Sequence, residues 1–247
     1  MQSIDEVIDT LEQIIIDSKT NQNPLGYFAV LYLKVTKKVK EGIYQGLFND
    51  NLRMEKLDVI FAQRYLDAYF DYQKNKKITT SWGHTFELST RFWPIVLQHL
   101  LLGMNAHINL DLGIAAAEIS KGKNIEDLNE DFHQINEILS SLVEEVENDL
   151  AKVWPTLKWI LKLARNADNF LADFSMKKAR DGAWKFAKTL ADTPEDLWEA
   201  EIKKRDEKVS GKVKLIISPG WTVNTILGII RLSERGSVAD KIDKMWQ

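Results

Sequence analysis

An all-α fold follows from three features of this chain. Glycine and proline are sparse, 12 and 5 among 247 residues; period-two alternation is almost missing; and cap residues precede most apolar-periodic stretches. Together they predict a single-domain multi-helix bundle around a buried central helix over about residues 94–119.

Ser3 with Glu6 reads as a capping box for a first helix to about Ser18. Asn23-Pro24 is a cap followed by a first-turn proline, opening a helix to about Phe48. Asp50 or Asn51 starts a third, ending near Gln73, and Thr80 or Ser81 caps a segment to Phe92. Pro94 either kinks that segment or begins the central helix, which runs to about Ile119. Asn124 caps a long amphipathic helix to about Val153; Pro155 opens a short helix, and Asn166 or Asp168 another. Thr193-Pro194 repeats the cap-plus-proline start, and Ser218-Pro219-Gly220 precedes an apolar helix over Thr222–Leu232. The helices past Glu201 are more charged and read as a peripheral arm over about 201–247. No internal repeat or long linker divides the chain.

Composition narrows the function classes. A formal charge of −3 and a pI near 5.9 carry no basic excess to attract nucleic acid or an anionic membrane. Cysteine is absent, which excludes disulfides, thiolate nucleophiles and Cys-ligated metals and fits a reducing cytoplasm. The N-terminus lacks the basic and apolar regions of a signal peptide. The apolar zone from Phe92 to Ala117 holds too many amides, histidines and acids for a comfortable membrane span. A soluble cytoplasmic protein with a small-molecule partner is therefore expected. Phosphate-binding glycine loops, nucleophile elbows, His-Glu-x-x-His and Glu-x-x-His motifs are all missing.

The central helix is the informative element. It should be buried almost all round, yet it carries Gln98, His99, Asn105, His107, Asn109 and Asp111. Burial of unpartnered polar groups costs several kcal/mol, so such residues either knit a network or do chemistry. On an α-helix Gly103, His107, Asp111, Ile114 and Glu118 share one face, with His99 on its shoulder; Gln98, Leu102, Asn105 and Asn109 fall on the opposite face. Gly103 and Ala106 permit close approach by a neighbouring chain or a ligand. His107 and Asp111, one turn apart, suit zinc or a similar divalent metal, with His99 or Glu118 as a third ligand and a metal-bound water as nucleophile. The same pair equally suits a structural network in which Asp111 fixes the imidazole tautomer, or metal-free acid–base use.

Asp58 aligns with Phe61, Ala62, Tyr65, Tyr69 and Tyr72, an inward aromatic face that should raise its pKa unless a cation compensates. Arg64 lies well round that helix from it, so its counter-ion is expected from Arg53, Arg91, Arg180 or a histidine; Arg180 is also a candidate partner for Asp111. A structural ion pair serves Asp58 as well as a catalytic role does. At Thr80–Thr85 a helix start with Trp82 and His84 could line a pocket mouth for an anion or be a plain capped end with a packed tryptophan. His133, in an acidic helix, is expected to face solvent.

The string Gly103-Met-Asn-Ala-His-Ile-Asn-Leu-Asp-Leu112 carries a family resemblance, supported by Arg53–Asp58, Phe61–Tyr65, Thr80–Trp82, Leu97–Leu102 and Asp131–Asn136. The chain resembles a family of uncharacterised, mainly bacterial helical proteins over roughly its first 150 residues. The resemblance implies a helical fold and confers no activity. The residues themselves point to a metal-assisted hydrolase or other small-molecule enzyme. In it His107 and Asp111 hold the metal, His99 or Asp58 completes the site, and Asn105 and Asn109 orient substrate. The competing class is a non-catalytic binder or interaction module whose polar helix is architectural.

Overall fold

Side-chain oxygens close the first turns of two of the first three helices where the sequence places them. In the computed structural model, which describes residues 1–135, 138, 152–153 and 176–247, Ser3 Oγ accepts the Glu6 amide and opens α1 (Ile4–Thr20). Asp50 Oδ1 accepts the Arg53 amide at 2.9 Å and opens α3 (Asn51–Gln73). Between them α2 spans Gly26–Tyr44, shorter than expected at both ends: Asn23 Oδ1 accepts the Leu25 amide in a turn before the helix rather than capping it at Pro24, and Gly46 takes a left-handed φ of 70° that breaks the helix before Phe48. No strand occurs among the described residues.

α4 covers Thr80–Glu87 and tightens into a short 3₁₀ turn at Leu88–Thr90, ending before Phe92. Pro94 neither kinks a helix nor starts one. α5 (Val96–Ala106) begins after it, with Gln98 Oε1 accepting the Ile95 amide at 3.1 Å and Glu234 Oε1 the Val96 amide at 2.9 Å. The central rod then runs through a π-helical turn at His107–Asp111 into α6 (Leu112–Ile119). The whole stretch Val96–Ile119 is long and apolar enough to cross a membrane, but the surrounding helices bury almost all of it.

Asn124 Oδ1 accepts the Glu126 amide and caps a 3₁₀ turn, Ile125–Leu128, with helical residues following at 129–135. The rest of the helix expected to Val153, apart from residues 138, 152 and 153, lies outside the described residues. So do the starts expected at Pro155 and at Asn166 or Asp168. The chain continues as α7 (Met176–Ala191), a 3₁₀ turn at Glu195–Leu197, α8 (Trp198–Gly211), α9 (Val213–Ile217), α10 (Trp221–Ser233) and α11 (Val238–Trp246).

α2, α3, α4, α7, α8 and α9 all pack on the rod, and α1 covers α2 and α3. Gly103 admits the Phe28 ring so closely that a Cβ there would stand 2.3 Å from it. The helices past Glu201 contribute buried side chains to the bundle. Leu227, Ile230, Ile242 and Met245 join one core cluster with α1 and α2, and Trp198 and Val209 pack against Leu110 and Ile114 of the rod.

Candidate functional site

In the π turn the Leu112 amide donates to the His107 carbonyl, five residues back, so the turn is wider than the α-helix the sequence suggests. Such turns often occur at functional sites, because they hold side chains at angles a regular helix does not reach. The displaced backbone is compensated from outside: Arg205 Nε donates to the Asn109 carbonyl at 2.8 Å. The turn keeps His107 and Asp111 together, with Nδ1 3.1 Å from Oδ2. Both are buried, at 2 % and 1 % exposure.

Asp111 is surrounded by donors. Trp82 Nε1 donates to Oδ2 at 2.8 Å, and Arg64 Nε to Oδ1 at 3.3 Å. With the guanidinium and the indole both donating to it, Asp111 acts as an acceptor towards the imidazole as well, and His107 therefore carries its proton on Nδ1. Burial lowers the His107 pKa despite Asp111, which keeps the ring neutral. Nε2 is left with a free lone pair, buried and without a hydrogen-bond partner among the described residues. The ring is clamped by Phe61, stacked at 3.6 Å and 7°, and by the edge of Tyr32 at 4.6 Å.

Besides His107 Nε2, Asp58 Oδ2 is buried without a hydrogen-bond partner in this part of the bundle. Tyr32 links them. It sits one turn before Thr36 on α2, whose hydroxyl it bonds, touches His107, and has its phenol pKa raised by burial, then by Asp58 and Asp111, with the Thr36 bond acting the other way. Asp58, one turn before Phe61 on α3, is pushed up to about 7 by burial and then by Glu55. None of its expected counter-ions arrives. Arg53 turns to Asp131 and the Asp127 carbonyl, Arg180 donates to the Phe132 carbonyl over the Phe132 ring, and Arg91 is exposed. Arg64 ion-pairs with Asp111 instead, an interaction that sequence reasoning missed, as it did the Trp82 hydrogen bond to the same carboxylate. The signal for the ion pair was present, since Arg64 follows Phe61 by three residues on the helix that faces the rod.

The opposite side of the rod is lashed to α8 and α9. Gln98 Nε2 donates to the Ile216 carbonyl at 2.9 Å and Asn105 Nδ2 to the Val209 carbonyl at 3.1 Å. Asn109 Nδ2 reaches Asn105 Oδ1 at 3.3 Å, while Lys212 Nζ donates to Asn109 Oδ1. The structure thus turns Asn105 and Asn109 towards α8, away from the partners of His107. His99 joins neither group. Its ring meets Tyr27 edge-on at 5.6 Å, and burial, aided by Arg231 and Lys241, lowers its pKa to about 3.

The anion site expected at the start of α4 is filled from within. Asp206 of α8 accepts the Thr80 and Ser81 amides at 2.6 and 3.0 Å. Trp82 is buried on Asp111 rather than at a pocket mouth, and His84 is exposed. His133 is only partly exposed. It packs on Phe132 and Trp184 and lines a cleft of about 430 Å³ with Leu47, Asn49, Glu130, Asp131 and Gln134.

The donor set at Asp111 does not fit a metal ion. Both oxygens already accept N–H donors, one from a guanidinium whose positive charge opposes a second cation. No group of three or more His, Asp or Glu side chains able to hold a metal comes together among the described residues.

These observations define a helical protein with a buried imidazole–carboxylate pair on a π turn. The family of unknown function DUF5995 matches residues 4–219, and the chain belongs to that family. No curated protein and no solved structure matches it.

Proposed function

We propose that this protein is a small-molecule enzyme that works by metal-free proton transfer, hydrolysis being the reaction class the groups suit best. The observation that carries the reading is a pair of buried polar atoms without a hydrogen-bond partner among the described residues, His107 Nε2 and Asp58 Oδ2, beside the Tyr32 and Thr36 hydroxyls, which bond each other. An architectural network closes its hydrogen bonds, because each open one costs about 1–3 kcal/mol. Groups left open beside an oriented imidazole suit a ligand.

In this reading Asp111 holds the His107 tautomer, and Arg64 and Trp82 hold Asp111. Nε2 takes a proton from a water or a ligand hydroxyl, and the resulting imidazolium is stabilised by the Asp111 carboxylate. Asp58, protonated below about pH 7, returns a proton to the leaving group. Tyr32 and Thr36 supply hydroxyls to orient the ligand. Entry falls to α3, where Phe61 and Arg64 are both partly exposed above the buried pair. His99, Asn105 and Asn109 have no role in this chemistry.

The test is a metabolite screen by thermal shift and turnover on untagged protein, with and without chelator. A ligand that raises Tm in the wild type, and loses its effect in folded His107→Gln and Tyr32→Phe variants, supports the proposal. Stoichiometric bound metal that disappears in His107→Ala would overturn the metal-free mechanism. Variants Tyr32→Phe and Thr36→Val that are more stable than wild type, with no ligand found, would leave the non-catalytic reading standing.

A further inference from the structure

We propose that α10 and its flanking loops form a docking surface for an anionic lipid bilayer. Four of the most exposed large apolar side chains in the described residues gather there. Trp221 is 84 % exposed and Leu232 76 %, with Ile229 between them and Leu215 on the preceding α9. At about 100° per residue Trp221, Thr225, Ile229 and Leu232 form one stripe along a 13-residue helix, about 20 Å long. The inner face, Leu227 and Ile230, is buried in the core, so the stripe is not simply the packing face of a loose helix.

The patch extends at both ends. Arg231 donates through Nε to the Phe92 carbonyl, and its guanidinium lies 4.5 Å from the Phe92 ring centre, which holds Phe92 and Trp93 beside the last turn of α10. Both rings are exposed. At the other end Asn224 donates to Ser218 Oγ at 3.0 Å, tying the helix to the loop after α9.

Charge selects the occupant. The whole chain is acidic, at −3, which argued against an anionic surface. The distribution reverses that locally: residues 208–233 hold no Asp or Glu, and of their cations Lys208 and Lys214 are exposed, while Lys212 is turned to Asn109 and Arg231 pairs with Glu234. Arg91 and Arg235 add exposed cations beside the aromatic pair and after the helix, whereas the side chain of Glu234 is turned inward to Lys241 and Arg231. Indoles flanking an apolar helical stripe with cations at its margins match the interfacial zone of a bilayer. Each cation near an anionic leaflet contributes about 1 kcal/mol, screened by salt. A neutral protein groove would explain the stripe but not the acid-free cationic margin.

Vesicle co-sedimentation tests this, using the full chain with phosphatidylcholine vesicles and with vesicles containing about 30 % phosphatidylserine. The expected result is binding to the anionic vesicles, weakened at least about tenfold by raising salt or by Lys214→Glu with Arg235→Glu, and abolished by Trp221→Glu with Leu232→Glu. These residues are exposed, so circular dichroism and Tm should match the wild type. Failure to bind anionic vesicles, or equal binding by the Trp221→Glu/Leu232→Glu variant, overturns the proposal. So does a concentration-dependent dimer that the same variant dissociates, which would make a second copy of the chain the occupant.

Discussion

The two sides of the central rod treat buried polarity differently. Towards α8 and α9, Gln98, Asn105 and Asn109 spend their amides on backbone carbonyls, on one another and on Lys212. Towards α2, α3 and α4, Asp111 is fully engaged, yet the imidazole it orients and the Asp58 carboxyl are left with an open atom each. The first side is a set of ties between helices. The second holds a reactive group in position while leaving those atoms unpaired, at a cost to stability. The same rod therefore separates architecture from candidate chemistry by face.

That contrast is broken most directly at Asp111. Asp111→Ala leaves Arg64 and Trp82 without their acceptor and frees the His107 tautomer. It should cost about 3–5 kcal/mol in urea unfolding. A loss under 1 kcal/mol would mean the carboxylate is not the anchor of that side.

Next comes Asp58→Asn, with the opposite sign. A folded pKa of about 7 against 3.8 unfolded means the native state holds a proton that the unfolded chain releases. The stability associated with that proton is full below about pH 4 and is lost as pH rises to about 7. The variant should flatten this slope and stabilise the protein above pH 7, by up to about 4 kcal/mol. A series of thermal melts from pH 4 to 8 checks it. His107 and His99 act in the other direction. Their depressed pKa values make stability present above about pH 6.5 and progressively lost below it, so a histidine-free control is needed to isolate the Asp58 slope.

The smallest effect sharpens the comparison from the other face. Asn105→Ala removes one amide donor from the Val209 carbonyl and should cost about 1–2 kcal/mol. NMR of the His107 ring should show its tautomer and titration unchanged. A shift in the His107 resonance on that substitution would show that the two sides are coupled.

Much of this arrangement was legible in residue order. Ser3, Asp50 and Asn124 cap where expected, since a side-chain oxygen satisfies amides only two or three residues away. The pairing of His107 with Asp111 followed from their spacing, and the raised pKa of Asp58 from its aromatic face. Arg64 and Trp82 were harder to assign, because both act across helices on Asp111. Asp206 and Glu234 were invisible for the same reason: they cap α4 and α5 from more than 120 residues away.

Local chemistry, acting within one or two turns, determined where α1 and α3 start and that an imidazole and a carboxylate meet on the rod. Only the packed molecule decided which neighbours supply their donors, that the turn between them widens, and which polar atoms stay unpaired. Those outcomes depend on shapes and charges brought together from distant parts of the chain, and no periodicity along it encodes them.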